Sequence, residues 1–549
     1  MLCYFSVSGS LRLSMIMDGK LDKFISEVGG CGMFQVLLSL AVYTIKVVGA
    51  WGMLFMSFGS YNPGWTCMDL KVNDTVTALS EPPYLNSTTL GILGPNSSVS
   101  TYNMSMSEQE KCQEAQSCQD VRFDPDSATI VSEWYLICDR SWLAPITISI
   151  QMVGVTIGSF IAGQLAERFG RKLSMYLWVV LGVVSNVVAL FSPNWEVYTA
   201  VRFVIGMSVG GNLSTCQVYA LEFVTAKWRV FLTGLPTWNV GSISFGICVF
   251  LLKDWRDAHV ATAVLGAFAF LSVFWVPESL RWLVVQGKVK ETKKVANMFC
   301  RVNGRSEPDP HLTAFTNCEG QQDDKKVAIR QLFRSDLRKK TIVCSAIYFF
   351  MAIMYYSIGF GIKALYGDFY INFILYTVFP LPLAPLAPVL GHKLGRRWGS
   401  TVLMFSCGLV SSSVIVVFFT TSGQVQGYVI TGLALATSAL LDYAWSILTA
   451  FIAELFPTPV RLLSFGFIFS AARFGSILSP FLIPRDFSIL YISYLVMGIL
   501  AIINCCLILS MPETKDLGLE DTLHARSQLE VEMTQGDITK PTRENSPLS

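Results

Sequence analysis

Charge is scarce in this chain. Of its 549 residues 15% are Asp, Glu, Lys or Arg and 52% are hydrophobic, where an ordinary soluble domain carries about 25% charged residues. Most of the chain is therefore not built to be solvated by water, and a polytopic membrane protein is expected. Neither sign of charge dominates: 41 basic residues oppose 39 acidic ones. A net charge of +2 argues against the strongly basic surface of a nucleic-acid binder. Histidine is rarer still, with His259, His311, His392 and His524 far apart and none in a CxxC or HExxH setting, so no metal site is expected. The absence of a GxxxxGK[ST] phosphate loop argues against an ATP-driven pump. No nucleophile, base and orienting partner fall together in any motif, which argues against an enzyme. The first 33 residues lack a long apolar core, so no removable signal peptide is expected, and Met17 offers a second possible start that makes residues 1–16 an upstream extension.

Long apolar runs are abundant. Stretches of about 20 residues, the length that crosses a bilayer as a helix, lie near 34–58, 143–162, 173–192, 198–220, 230–252, 258–276, 341–360, 370–390, 401–420, 427–451, 462–483 and 488–510. Twelve helices are expected. Pro380, Pro382, Pro385 and Pro388 should kink the eighth.

The chain also repeats itself. Gly163-Gln-Leu-Ala-Glu-Arg-Phe-Gly-Arg-Lys172 returns as Gly391-His-Lys-Leu-Gly-Arg-Arg397, each directly after an apolar run. Ala220-Leu-Glu222, with Trp228-Arg229 downstream, is answered by Ala453-Glu-Leu-Phe-Pro457 with Arg461, and Pro277-Glu-Ser279 by Pro512-Glu-Thr514. Two parallel halves of six helices, related by an axis along the membrane normal, are the architecture of the major facilitator superfamily. The expected class is thus an all-α membrane protein with twelve transmembrane helices in two pseudo-symmetric six-helix halves.

Charge asymmetry orients the chain. The segment 277–340 is dense in Lys and Arg, from Arg281 to Lys340, and the repeated motifs add Arg168, Arg171, Lys172, Arg396 and Arg397. These sites are cytoplasmic by the positive-inside rule. Residues 60–142 carry few basic residues and the sequons at Asn73, Asn86, Asn96 and Asn103, so this loop is expected to be extracellular and glycosylated. A fifth sequon, Asn212-Leu-Ser214, falls inside the fourth helix and out of reach of glycosylation. Cys67, Cys112, Cys118 and Cys138 share the loop, which suggests two disulfides with three possible connectivities. The organisation that follows is a cytoplasmic N-terminus (1–33), a first half (34–276) holding the loop, a cytoplasmic linker (277–340) helical around Val289–Phe299, a second half (341–510), and a polar, disordered cytoplasmic tail (511–549).

These motifs, with Glu133-Trp-Tyr-Leu-Ile-Cys138 and Pro277-Glu-Ser-Leu-Arg-Trp-Leu283, resemble the organic cation, organic anion and carnitine transporters of solute carrier family 22. The match runs from Val28-Gly-Gly-Cys-Gly-Met-Phe-Gln35 to Pro512-Glu-Thr514. The resemblance implies polyspecific transport of small organic ions across the plasma membrane, without catalytic residues. Glu167 departs from the Asp usual in the family's first motif.

Ionisable residues inside the membrane are costly and mark cavities or partners. Lys46, Arg202, Asp442 and Arg473 stand out. Arg202 heads a stripe with Gly206 and Gly210 that suits close helix packing. Arg473, with Ser470 and Ser476 on the same helix face, matches by resemblance a position that selects substrate charge, where anion and carnitine carriers have Arg. Arg473, Asp442 and Lys46, with aromatic Tyr43, Trp238, Tyr348 and Tyr355, are the candidate substrate site, suited to an anion or to a zwitterion. A structural salt bridge between Arg473 and Asp442 is the competing role. Glu167, Arg168, Arg171 and Glu222 in one half, with Arg396, Arg397, Glu454 and Arg461 in the other, are the candidate cytoplasmic gate. The expected function is alternating-access transport of organic anions or carnitine-like zwitterions, with an organic-cation or sugar carrier, or a non-transporting receptor or scaffold, as alternatives. No cofactor is implied; the expected partners are a small organic ion and membrane lipid; sodium or proton coupling, substrate identity and oligomeric state stay open.

Overall fold

The structure, a computed structural model, describes residues 32–68, 112–113, 120–224, 237–304, 332–384, 386–456, 458–483 and 489–515. The four sequons, Cys118, Trp228-Arg229, the alternative start and the tail beyond residue 515 lie outside the described residues.

Each of the twelve apolar runs falls on a helix. In the first half these are α1 (Met33–Gly59), α2 (Leu143–Phe169), α3 (Arg171–Ala189), α4 (Trp195–Leu221), α5 (Thr237–Leu252) and α6 (Trp255–Phe270). The second half holds α7 (Ser335–Gly361), α8 (Phe369–Val378), α9 (Arg396–Thr420), α10 (Gly423–Leu455), α11 (Thr458–Leu478) and α12 (Leu490–Leu509). Nine helical segments among the described residues are long and apolar enough to cross a membrane unaided. The prolines act on α8 as expected: it stops at Val378, a 3-10 turn spans Leu381–Leu383, and a helix resumes over Leu386–Leu394. Starts are capped where the sequence supplies a short acceptor, with Asn194 on the Val197 N–H of α4 and Asp368 on the Ile371 N–H of α8.

The closest approach in the first half is α2 against α4. A Cβ at Gly206 or Gly210 would collide with the carbonyls of Gln151 and Val155, and one at Gly154 or Gly158 with those of Phe203 and Met207. Only glycine lets these backbones touch. The halves meet where α2 packs on α11, α8 on α5 and α1 on α7. Exchanging the halves turns the first of these contacts into the second, as a two-fold relation requires. Two segments of the loop after α1 pair as an antiparallel ribbon, β1 (Trp65–Met68) with β2 (Asp120–Phe123), and a short helix over Ile130–Glu133 follows before α2. Between the halves, a short helix over Leu280–Val285 and one over Val289–Val302 match the helical part of the linker; the latter buries Val295, Ala296, Phe299 and Cys300 against Phe34 and Phe223 under α1.

Candidate functional site

Two adjacent tyrosines on α7 organise the charges of the second half. Tyr355 lies beside the Asp442 carboxylate on α10, and Tyr356 Oη accepts from Arg473 Nη1 on α11 at 3.4 Å. Their rings meet edge to face at 5.4 Å. Tyr376 of α8 lies beside Tyr355, and Trp445, one turn beyond Asp442, lies 5.8 Å from the Tyr355 ring. Asp442, Arg473, Tyr355, Tyr356 and Trp445 are all partly accessible. No ion pair within 4.0 Å joins Asp442 to Arg473 among the described residues, so the salt bridge that was the competing role is not formed in this conformation. Tyr348 sits behind this group, 1% exposed, its hydroxyl 3.1 Å from Thr449 Oγ1 and its ring against Trp445 and Phe469. It supports the wall formed by Trp445. Ser470 and Ser476 do not form a free polar stripe: their hydroxyls donate to the carbonyls of Gly466 and Arg473 on their own helix.

The other sequence candidates belong to the first half. Lys46 lies on α1 over the Tyr43 ring, 5.4 Å from its centroid, and beside Cys216 of α4. Trp238 is half-buried near the start of α5. Arg202 is walled in. It is fully buried, donates to the Gly52 carbonyl at 3.1 Å and to Gln151 Oε1, and rests over the Phe55 ring at 4.9 Å. Beside it, His259 bridges Tyr198 and Asn186 at 3.2 and 2.7 Å and stacks on Phe55 at 3.9 Å.

The repeated motifs form two elbows of the same design. At the α2–α3 bend Gly170 has φ 106°, and where the helix over Leu386–Leu394 meets α9, Gly395 has φ 96°; both values favour glycine. A Cβ at either would also strike a carboxylate, Glu278 or Glu513. Glu278 accepts from the backbone N–H groups of Arg171, Lys172 and Ser279 at 2.8–3.0 Å. Glu513 accepts from those of Arg396, Thr514 and Lys515 at 2.9–3.1 Å. Each thereby places a negative charge on the positive end of a membrane helix. Arg171 then reaches Glu222 at 3.4 Å and Arg396 reaches Glu454 at 3.0 Å. These pairs are made within each half, whereas a gate that closes across the mouth needs pairs between halves. Arg168 is exposed over the Phe169 ring, Arg397 lies over Trp398, Glu167 lends its carbonyl to Trp282 Nε1, and Arg461 donates to the Phe456 carbonyl. The roles of Glu278 and Glu513 were not assigned from sequence, although the repeat of Pro-Glu-Ser as Pro-Glu-Thr held the signal.

Polar contacts between the halves lie mostly at the other end, near the cysteine-bearing loop; the exception among the described residues is Asn239, near the start of α5, which donates to Thr377 O at 3.3 Å. Ser57 donates to Gly359 O at 3.0 Å, Ser149 to Ile477 O at 2.9 Å, and Lys363 to Ser60 at 2.8 Å. Ser127 and Tyr370 share a hydrogen bond of 2.8 Å. Phe58 and Tyr61 pack on Phe369. The loop itself is tied down by Glu133, which binds Arg256 and Trp255 of α6, and by the disulfide Cys112–Cys138. Of the three connectivities open from sequence this selects the one that leaves Cys67 for Cys118, and Cys118 lies outside the described residues.

Comparison with known proteins bears on this arrangement. Residues 90–524 match the family described as sugar (and other) transporter. Organic cation/carnitine transporter 2 of Mus musculus is 30% identical over 75% of this chain and 74% of its own length. The beta-alanine transporter of Drosophila melanogaster is 28% identical over 72% of this chain and 66% of its own, and solute carrier family 22 member 11 of Homo sapiens 27% over 94% and 97%. Among solved structures, the inward open conformation of the xylose transporter XylE from E. coli superposes with a TM-score of 0.60 at 14% identity, covering 88% of this chain and 98% of that one.

Proposed function

The chain belongs to the sugar (and other) transporter family, in the solute carrier family 22 branch of the major facilitator superfamily, and we propose that it carries organic anions or carnitine-like zwitterions across the plasma membrane. The observation that carries this reading is the separation of Asp442 from Arg473. Asp442 lies beside Tyr355, Arg473 donates to Tyr356, and no ion pair within 4.0 Å joins the two charges. A zwitterion is the ligand that meets both: its carboxylate takes the Arg473 fork, and its cationic group lies by Asp442 with the Tyr355 and Trp445 rings. The names of two relatives, carnitine and beta-alanine carriers, support this chemistry, because both compounds carry a carboxylate and a cationic nitrogen.

Transport follows from the two ends. Contacts joined at the loop end, with the basic motifs paired inside their own halves, support reading this conformation as inward-facing. Rocking the halves the other way would break Ser57–Gly359 and Lys363–Ser60 and bring the Arg171–Glu222 and Arg396–Glu454 elbows together. Coupling to sodium or to protons is the remaining part of the proposal. The test is uptake of one anion, one zwitterion and one cation into proteoliposomes, with and without sodium and a pH gradient. Accumulation of the first two supports the proposal. Preference for the cation favours an organic-cation carrier, with Asp442 dominant. Binding without accumulation or exchange of any label identifies a receptor and rejects transport.

A further inference from the structure

On the loop side of the first half, lined only by residues of that half, lies an open cleft of about 770 Å³. Its walls are aromatic: Trp134, Tyr135, Trp142 and Trp195. Three charged side chains line it as well, Asp139, Arg140 and Glu196. All three are exposed, and none has an ion-pair or side-chain hydrogen-bond partner among the described residues.

The cleft is held in shape by its surroundings. Trp134 is wedged between Tyr198 and Trp255, with ring centroids 5.2 and 5.5 Å away. Tyr135 is set edge-on to Phe123 of β2 at 5.4 Å. The backbone turns through the left-handed region at Tyr135 (φ 51°) and at Cys138 (φ 50°), a conformation uncommon for residues other than glycine and kept where the surroundings impose it. Here the fold imposes it through the disulfide at Cys138 and the Glu133 contacts to α6. Trp142 and Trp195 stand at the starts of α2 and α4, the depth at which tryptophan meets the polar layer of a bilayer.

We propose that this cleft binds a quaternary ammonium group. Such a cation has no N–H to donate, so it is recognised by aromatic faces and net negative charge rather than by hydrogen bonds. Four aromatic walls with two carboxylates against one guanidinium meet both needs. An anion would find one favourable side chain and two repelling ones. Two sources present this chemistry, a free solute and the choline headgroup of a lipid in the outer leaflet. The proposal stands apart from the transport reading, because none of its residues belongs to the Asp442–Arg473 group.

Purified protein in nanodiscs of phosphatidylglycerol is titrated with tetramethylammonium chloride, following saturation transfer to the methyl protons, with sodium chloride as the ionic-strength control. A saturable response is expected, weakened about tenfold or more by Asp139→Asn with Glu196→Gln and by Trp142→Ala with Trp195→Ala, where tenfold corresponds to about 1.4 kcal/mol. Loss of the response in phosphatidylcholine discs identifies the lipid headgroup as the occupant; its persistence there identifies the free solute. The two variant pairs alter different parts of the cleft, so failure of one to fold leaves the other as the test. Absence of a saturable response in phosphatidylglycerol, or an undiminished response in both variant pairs, overturns the proposal.

Discussion

Arg202 in the first half and the Asp442–Arg473 group in the second are held in opposite ways. In the first half Arg202 is fully buried, with the Gly52 carbonyl, Gln151 and the Phe55 ring around it. In the second half Asp442 and Arg473 are partly accessible and each leans on a single tyrosine. Duplication has preserved the scaffold, seen in the matched elbows and in the α2–α11 and α8–α5 contacts, and has not preserved the polar centre. A charge enclosed by helices of its own half acts on stability. One that projects from partly open walls is free to act on a ligand.

The sharpest way to break that contrast is to remove each guanidinium in turn. Arg202→Ala leaves Gln151 Oε1 without its donor, while the Gly52 carbonyl keeps Gln151 Nε2, and opens a void between α1, α2 and α4. The expected cost is on the order of 3 kcal/mol, read as lost surface expression and a lower melting temperature in detergent. Arg473→Ala should leave both near wild type and reduce uptake of anion or zwitterion roughly 30-fold, equivalent to about 2 kcal/mol for truncating one partner of a charge pair. Arg473→Lys should recover part of it, since an ammonium keeps the charge without the fork. A well-expressed Arg473→Ala protein with normal anion transport removes the selector role. Rescue of lost expression by neutralising Asp442 as well would restore the salt-bridge role.

What the sequence disclosed tracks what is periodic or repeated. Apolar runs located the helices, and prolines located the break in α8. The Gly-Arg motifs marked elbows whose chemistry rests on Gly170 and Gly395. Partner choice was not legible. Glu222 and Glu454 read equally well as facing each other's half or their own, because helix-end charges carry no distance information. Tyr356 was missed beside Tyr355, since two consecutive tyrosines on a helix point about 100° apart and pattern alone does not say that both meet charges on neighbouring helices. Tyr348 carried the same residue-level signal as Tyr355 and lies behind the wall.

Between centre and elbows the contrast predicts different kinetics. Glu222→Gln and Glu454→Gln weaken the Arg171 and Arg396 contacts without touching Asp442 or Arg473. Maximal transport rate should fall about tenfold while KM moves by roughly twofold or less, the pattern of a lost step rather than lost binding. Raised KM at an unchanged rate, with equal surface expression, would contradict the gate.

The elbows themselves differ in one respect, and it is the finest test. Burial pushes the Glu278 carboxyl above the ordinary value of 4.5, its three backbone donors notwithstanding, and the nearby Glu222 adds to the rise. Burial acts on Glu513 too, but the N–H groups of Arg397, Lys515, Thr514 and Arg396 outweigh it and hold that carboxyl below 4.5. The signs then oppose. Glu513 contributes stability that is present above pH 4.5 and is lost as pH falls through its lowered value. Glu278 is more favourable when protonated: what it contributes is fully present below 4.5 and is lost as pH rises through its raised value. At pH 7 the neutral Glu513→Gln should therefore lower the melting temperature more than Glu278→Gln does. As pH falls toward 4.5 the deficit of Glu278→Gln relative to wild type should grow, because the wild-type acid regains stability there while the amide does not titrate. The deficit of Glu513→Gln should hold to 4.5 and shrink below it. Melting curves of the two variants with the same pH profile would show that the elbows are electrostatically equivalent, and would confine the asymmetry between the halves to their centres.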